Sequence, residues 1–331
     1  MAVSLLRPEC KIMKCSLMLP AKPNLQWQLA RQLGIDYAVT KAAPELTGMP
    51  DPSDYNSLKT VRDRFADAGF KLYALEGDEF DMTRIKLGLP GRDEDIEKYC
   101  AMLTNMGKLG LKLLCFNFMA GVGWYRSKND LLERGGALTS GFNVADIDNS
   151  EPLKMSHEKL WDNIIYFLKA VTPAAEAAGV QMGMHPDDPP IPQLLGYPRI
   201  LISADAYRRV LREVPSPALG VTFCQATFRA MGEDVFALLE EFGKKVFFFH
   251  FRDITGVSDN FVETFHDNGP TDMPKLLAHL QKCAPDCLIR PDHTPTMAGE
   301  SNESFGYTMQ GNLFATGYLR GILETLGCKE D

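Results

Sequence analysis

Eight times along this chain a short, β-prone apolar run gives way to a longer segment with apolar residues at helical spacing. No other feature limits the fold as tightly. The strand-like runs are KCSLMLP (14–20), DYAVTK (36–41), KLYALEG (71–77) and KLLCFNFM (112–119), then VQMGMHP (180–186), LGVTFC (219–224), VFFFHFRD (246–253) and CLIRPDH (287–293). Helical spacing follows them over 24–34, 57–69, 93–110, 157–179, 204–214, 235–244, 273–283 and 311–326. Gly34, Gly69, Gly110 and Gly179 stand where helices should end in a left-handed residue, and Ser156 and Asp93 stand where N-caps belong. Strict alternation calls for a parallel sheet, and eight units call for an α/β fold closed as a single (β/α)8 TIM barrel spanning 1–331. An open doubly wound sheet is the alternative, but no Gly-x-Gly-x-x-Gly follows the first strand. The 331 residues suit a barrel with insertions, which usually takes about 250 residues and can exceed 400. One stretch, 120–155 after the fourth strand, reads as a long irregular loop, and so as a lid or substrate-binding element.

Composition narrows the partners. Hydrophobic residues at 45% and charged residues at 24% describe a soluble globular chain. A net charge of -8 leaves no basic stripe for nucleic acid, and without a run of about 18 apolar residues no membrane span is expected. The opening, MAVSLLRPECKIMKCSLMLP, reads as the approach to a first strand and not as a signal segment, so the expected location is cytoplasmic. The eight cysteines (10, 15, 100, 115, 224, 283, 287, 328) lack zinc-knuckle spacing and read as reduced, mostly buried thiols.

Barrel chemistry sits at the C-terminal ends of the strands. There the chain places His185 on strand five, Cys224 on strand six, His250 on strand seven and Asp292 on strand eight. Three of its six histidines (185, 250 and 293) fall at these ends. A His, Cys, His, Asp set suits a borderline divalent ion such as Mn, Fe, Co or Zn better than Mg or Ca. Taken singly, a buried Cys is usually a small hydrophobe and a strand-end His a structural hydrogen-bonder; the coincidence is what points to a metal. Asn117, Asp187, Asp188, Arg252 and Arg290 share this face, and Arg290 flanks Asp292 as a fork for a substrate carboxylate or as the partner of a barrel carboxylate. Glu263 and His266 follow strand seven within reach of the same mouth, while Trp124, Tyr125 and Arg126 open the insertion above it.

The segments MHPDDPP (184–190), LGYPRIL (195–201), FCQATF (223–228), HFRD (250–253), RPDHTP (290–295) and CFNFMAGVGW (115–124) resemble the D-mannonate dehydratase family of xylose-isomerase-like barrels, in a shorter branch. The resemblance implies removal of water from an aldonate such as D-mannonate to give a 2-keto-3-deoxy sugar acid. It also implies a divalent cofactor, Mn2+ foremost, held by His185, Cys224, His250 and Asp292, with acid–base roles for His293 and Tyr307. Arg290, Asn117, Arg252, Trp124 and His266 are the expected substrate contacts, with a small sugar acid as partner and a homo-oligomer as the possible assembly. The chain departs from the family pattern at Asp253, at Gly269-Pro270-Thr271-Asp272-Met273 and after Tyr307. A metal-dependent sugar isomerase or epimerase is the nearest rival, and a non-catalytic sugar-acid-binding barrel the more distant one.

Overall fold

The computed structural model describes residues 13–328, so Cys10 and the chain's opening lie outside the described residues. Its barrel strands are β1 (Lys14–Met18), β2 (Tyr37–Thr40), β3 (Lys71–Glu76), β4 (Leu113–Phe116), β5 (Gln181–Met184), β6 (Leu219–Cys224), β7 (Val246–Phe251) and β8 (Leu288–Pro291). They close in chain order, with β1 paired to β8 and every neighbour parallel. The helices that follow them are α1 (Leu25–Gln32), α2 (Tyr55–Asp67), α3 (Arg92–Lys108), α4 (His157–Ala178), α5 (Ala204–Glu213), α6 (Val235–Phe242), α7 (Met273–Cys283) and α8 (Met309–Thr325).

The local signals explain the longest of these. Ser156 Oγ accepts from Lys159 N at 3.1 Å to cap α4, and Gly179 ends it at φ 63°. Between them Leu160, Ile164, Phe167, Leu168, Val171 and Ala175 are buried, a stripe of helical period that packs into the core around the barrel. Asp93 is not the cap of α3, as the sequence suggests. The helix begins one residue earlier, after Gly91 at φ 87°, and Asp93, Glu94 and Asp95 occupy its first turn, where negative charge favours the helix dipole.

Inside the barrel, period-two alternation sorts side chains into layers. Leu113, Phe248 and Leu288 belong to an apolar plug, whereas Phe249 and Ile289, one residue on, join the core beneath the helices. Two further residues along β7 and β8, at His250 and Arg290, the interior turns polar. The same pleat that plugs the barrel therefore places the chemistry above the plug.

The stretch 120–155 is not irregular throughout. Lys128–Leu132 and Leu138–Asn143 form strands that pair antiparallel, and the second also pairs with Asn260–Glu263 from the loop after β7. With Ile254–Val257 this makes a four-stranded cap sheet outside the barrel. Phe142, Ile254 and Phe261 from this sheet pack with Ile191, Leu194, Ala226 and Ala230 in a small core of their own. The first strand, KNDLL, is largely exposed, so it shows no apolar run, and the partner of the second lies over a hundred residues away.

Candidate metal centre and acid–base pair

Strands β5 to β8 bring the four expected ligands together. Ligand atoms of His185, Cys224 and His250 lie within 4.8 Å of one another. Asp292 joins them, its Oδ2 3.9 Å from Cys224 Sγ and 3.5 Å from His250 Nδ1. Cys224 and His250 are register partners across β6 and β7.

The donors are poised for a metal. Neither ring nitrogen of fully buried His250 makes a well-formed hydrogen bond, Nδ1 lying 3.5 Å from Asp292 Oδ2 and Nε2 3.4 Å from Glu76 Oε1, so a closer partner would stabilise both. His185 Nδ1 is tied to the Pro186 carbonyl at 2.7 Å, which makes it the donor and leaves Nε2 with a free lone pair. Burial, aided by nearby His250, pulls the His185 pKa down to about 4, so its imidazole is neutral at pH 7, the ligating form. Burial pushes the Cys224 thiol up to about 12 against the pull of Arg252, so it stays protonated until a cation displaces the proton. Two nitrogens, a sulfur and an oxygen fit a borderline divalent ion.

A second cluster shares His250: Glu76, Cys115 and His250 also lie within 4.8 Å of one another. Sequence reasoning passed over Glu76, although a carboxylate closing a strand just before Gly77 is a signal that could have found it. Glu76 occupies Arg290, whose Nε donates to Oε2 at 2.9 Å and whose Nη2 donates to Oε1 at 2.5 Å. Arg290 Nη1 donates to Asp292 Oδ1 and to the Pro291 carbonyl, both at 2.9 Å. The fork expected to grip a substrate carboxylate is thus already in use, and Arg290 holds barrel carboxylates instead.

A cavity of about 110 Å³ opens over this layer, walled by Glu76, Asn117, Trp124, His185, Arg290, Asp292, His293 and Tyr307 among others. Asn117 is fixed at its rim, where Oδ1 accepts from Lys86 Nζ at 2.9 Å. Trp124 lies 4.7 Å from the His293 ring, so the start of the insertion forms a wall of the cavity. His293 Nε2 and Tyr307 Oη are 3.1 Å apart. Tyr307 keeps 36% of its surface exposed, yet its phenol points inward, where burial and the Asp292 charge raise its pKa and keep it protonated.

Arg252 and His266 do not line the cavity. Arg252 lies behind His293, with Nη1 2.5 Å from Nδ1 and Nη2 donating to Asp188 Oδ2 at 3.0 Å. His266 is buried, its Nε2 2.7 Å from the Phe251 carbonyl. Arg126, from the insertion, donates to both oxygens of Asp188 (2.6 and 2.9 Å) and to Glu263 Oε1 (2.5 Å). Burial opposes the charge of Glu263, but Arg252 and Arg126 outweigh it and hold the carboxyl down to about 2.

Two departures from the family pattern prove to be one local arrangement. Asp253 accepts from Thr271 N at 2.8 Å, and a Cβ at position 269 would fall 2.3 Å from its Oδ2, which is why glycine stands there.

The closed parallel eight-stranded barrel has the xylose-isomerase-like fold. The fold alone is shared widely: an L-ribulose 3-epimerase matches with a TM-score of 0.60 at 14% identity, covering 95% of each chain. Within that fold, the D-mannonate dehydratase family profile matches residues 29–156 and 153–330. The mannonate dehydratase of Streptococcus equi subsp. zooepidemicus is 32% identical, with 72% of this chain and 74% of the relative covered. That of Brachyspira hyodysenteriae is 28% identical, covering 81% and 86%. The crystal structure of mannonate dehydratase from Streptococcus suis serotype 2 superimposes with a TM-score of 0.87 at 28% identity, over 97% of this chain and 96% of that one. The chain belongs to the D-mannonate dehydratase family, and is a hydro-lyase.

Proposed function

We propose that this protein dehydrates D-mannonate, or a closely related aldonate, to the 2-keto-3-deoxy acid. The observation that carries the reading is the approach of His185, Cys224 and His250 to one another, with Asp292 beside them, while His185 and Asp292 also share a cavity wall with His293 and Tyr307. His185, Cys224, His250 and Asp292 would hold a divalent ion, Mn2+ foremost, and when bound it supplies Lewis-acid stabilisation to negative charge developing on substrate oxygens. The remaining work belongs to the chain. Loss of water takes a proton from C2 and hydroxide from C3, so one group must accept a proton and another must donate one. Tyr307, kept protonated by its surroundings, suits the donor that releases the C3 hydroxyl as water; His293 Nε2, which faces it, suits the acceptor of the C2 proton. Trp124 closes one side against solvent, and Asn117, held by Lys86, presents a polar edge to the sugar hydroxyls. We extend the reading to a cytoplasmic setting, supported by the reduced thiols of Cys100, Cys115, Cys224, Cys283 and Cys287.

The test is turnover of an aldonate panel that includes D-mannonate, with Mn2+ added and the 2-keto-3-deoxy product quantified. Cys224→Ser should weaken metal retention by more than about tenfold, read by elemental analysis, and abolish turnover in parallel. Activity that survives both this substitution and chelation would refute the metal assignment. An isomerised or epimerised sugar in place of the deoxy acid would replace the dehydratase reading with the isomerase one.

A further inference from the structure

Two kinds of group compete for one atom at the edge of the cavity, a carboxylate and two guanidiniums, the farther of these being Arg126 Nη2 at 3.5 Å from His293 Nδ1. His293 Nδ1 lies 3.0 Å from Glu263 Oε1 and 2.5 Å from Arg252 Nη1. A guanidinium only donates, so its hydrogen bond needs a bare Nδ1; a carboxylate only accepts, so its bond needs a protonated one. One tautomer cannot satisfy both.

The surroundings favour Glu263. Arg252 has other acceptors in Asp188 Oδ2 (3.0 Å), Thr227 Oγ1 (3.1 Å) and Asp292 Oδ2 (3.3 Å), so it stays partnered when Nδ1 carries the proton. Glu263 is 2% exposed, and among the described residues no hydrogen bond reaches its second oxygen, Oε2, so the carboxylate has acceptor capacity to spare. Across the ring, Nε2 lies 3.1 Å from the Tyr307 phenol, whose hydrogen needs an acceptor, and 3.6 Å from Asp292 Oδ1, beyond hydrogen-bond reach. With the proton on Nδ1, both ring nitrogens are satisfied in one arrangement: Tyr307 donates to Nε2, and Nδ1 donates to Glu263 Oε1.

We propose that Glu263 is a positioning residue that fixes the His293 tautomer, accepting from Nδ1 so that the lone pair of Nε2 faces Tyr307 and the substrate. The role deepens the dehydratase reading and rests on His293 as the proton acceptor. When Nε2 takes a proton, the resulting imidazolium keeps its Nδ1 hydrogen on Glu263, and no proton passes to the carboxylate. Glu263 ends the cap-sheet strand Asn260–Glu263, and Arg126, which grips its Oε1, precedes the edge strand Lys128–Leu132. The cap sheet therefore carries part of the proton-transfer apparatus as well as covering it.

The decisive measurement needs no turnover. In protein with 15N-labelled histidine and added diamagnetic Zn2+, the His293 signals, assigned by their loss in His293→Gln, should show the proton on Nδ1. A bare Nδ1 with the proton on Nε2 would mean that Arg252 is the donor, and would overturn the proposal whatever the enzyme acts on. With D-mannonate as substrate, Glu263→Gln should lower kcat by about 10²-fold or more and leave KM within about threefold, and Glu263→Asp should recover part of the loss. A loss confined to KM would overturn it too. If D-mannonate is not turned over at all, the dehydratase reading fails while the tautomer measurement still decides the role of Glu263.

Discussion

Gly183 shows how little room the barrel interior leaves between its plug and its chemistry. A Cβ there would sit 2.6 Å from Thr222 Oγ1, whose hydroxyl donates across the barrel to Cys115 Sγ at 3.3 Å. Real side chains do not approach so closely, so a methyl group must push Thr222 or the strand aside. Gly183→Ala should therefore lower stability by about 1–3 kcal/mol, read as a lower urea midpoint at unchanged slope. At the same scale, Arg290 teaches caution about single-residue inference. Its place beside Asp292 was legible from strand alternation, but Glu76, 214 residues away in the chain, decided what it holds.

The elements divide by how local their causes are. Helix α4 carries its own instructions, a serine cap, an apolar stripe and a terminal glycine, and it forms where the sequence suggests. Ser156→Ala should cost about 1 kcal/mol, seen as a fall of a few degrees or less in Tm with the fold unchanged. The cap sheet has no such local signature. Its central strands come from loops after β4 and β7, and Phe261 anchors them, 2% exposed and lying 4.8 Å beneath the Arg126 guanidinium. Phe261→Ala should loosen the cap by about 3 kcal/mol or more. Limited proteolysis should then cut within 128–143 well before the barrel, with barrel unfolding left near its wild-type temperature. Equal protection of cap and barrel in the variant would show that the cap does not open on its own.

For the whole molecule, burial of ionisable groups sets the response to acid. His266 lies under the cap, and burial, against the pull of the Phe251 carbonyl, lowers its pKa to about 4 from 6.5. Between those values the unfolded chain binds a proton that the folded chain refuses, so stability falls as pH drops from about 6.5 to about 4. His266 alone contributes a loss of up to about 3 kcal/mol by the lower end. Glu263 adds its own loss further down: its folded pKa of about 2 lies below the ordinary carboxylate value, so its stabilisation is present above about pH 4.5 and fades as pH falls towards 2. Thermal melts at pH 7 and pH 5 should differ, and His266→Asn should remove part of that difference. An unchanged pH dependence in the variant would count against a buried, neutral His266.

By itself the sequence determined what depends on periodicity and local chemistry. The alternation of strand and helix called for a parallel sheet covered by helices, and eight such units without a dinucleotide-binding glycine pattern called for its closure into a barrel. Residues at strand ends had to share one mouth, because parallel strands all finish on the same side, and so His185, Cys224, His250, Asp292 and His293 could be read as neighbours, whereas Tyr307 entered only through the family resemblance. Tertiary structure decided what depends on long-range pairing: the engagement of Arg290 by Glu76, the withdrawal of His266 and Arg252 from the cavity, and the cap sheet that brings Glu263 and Arg126 to His293. These contacts join residues separated by up to 214 positions, and which partner a buried charge finds is set by the geometry of the closed barrel, to which no local pattern in the chain refers.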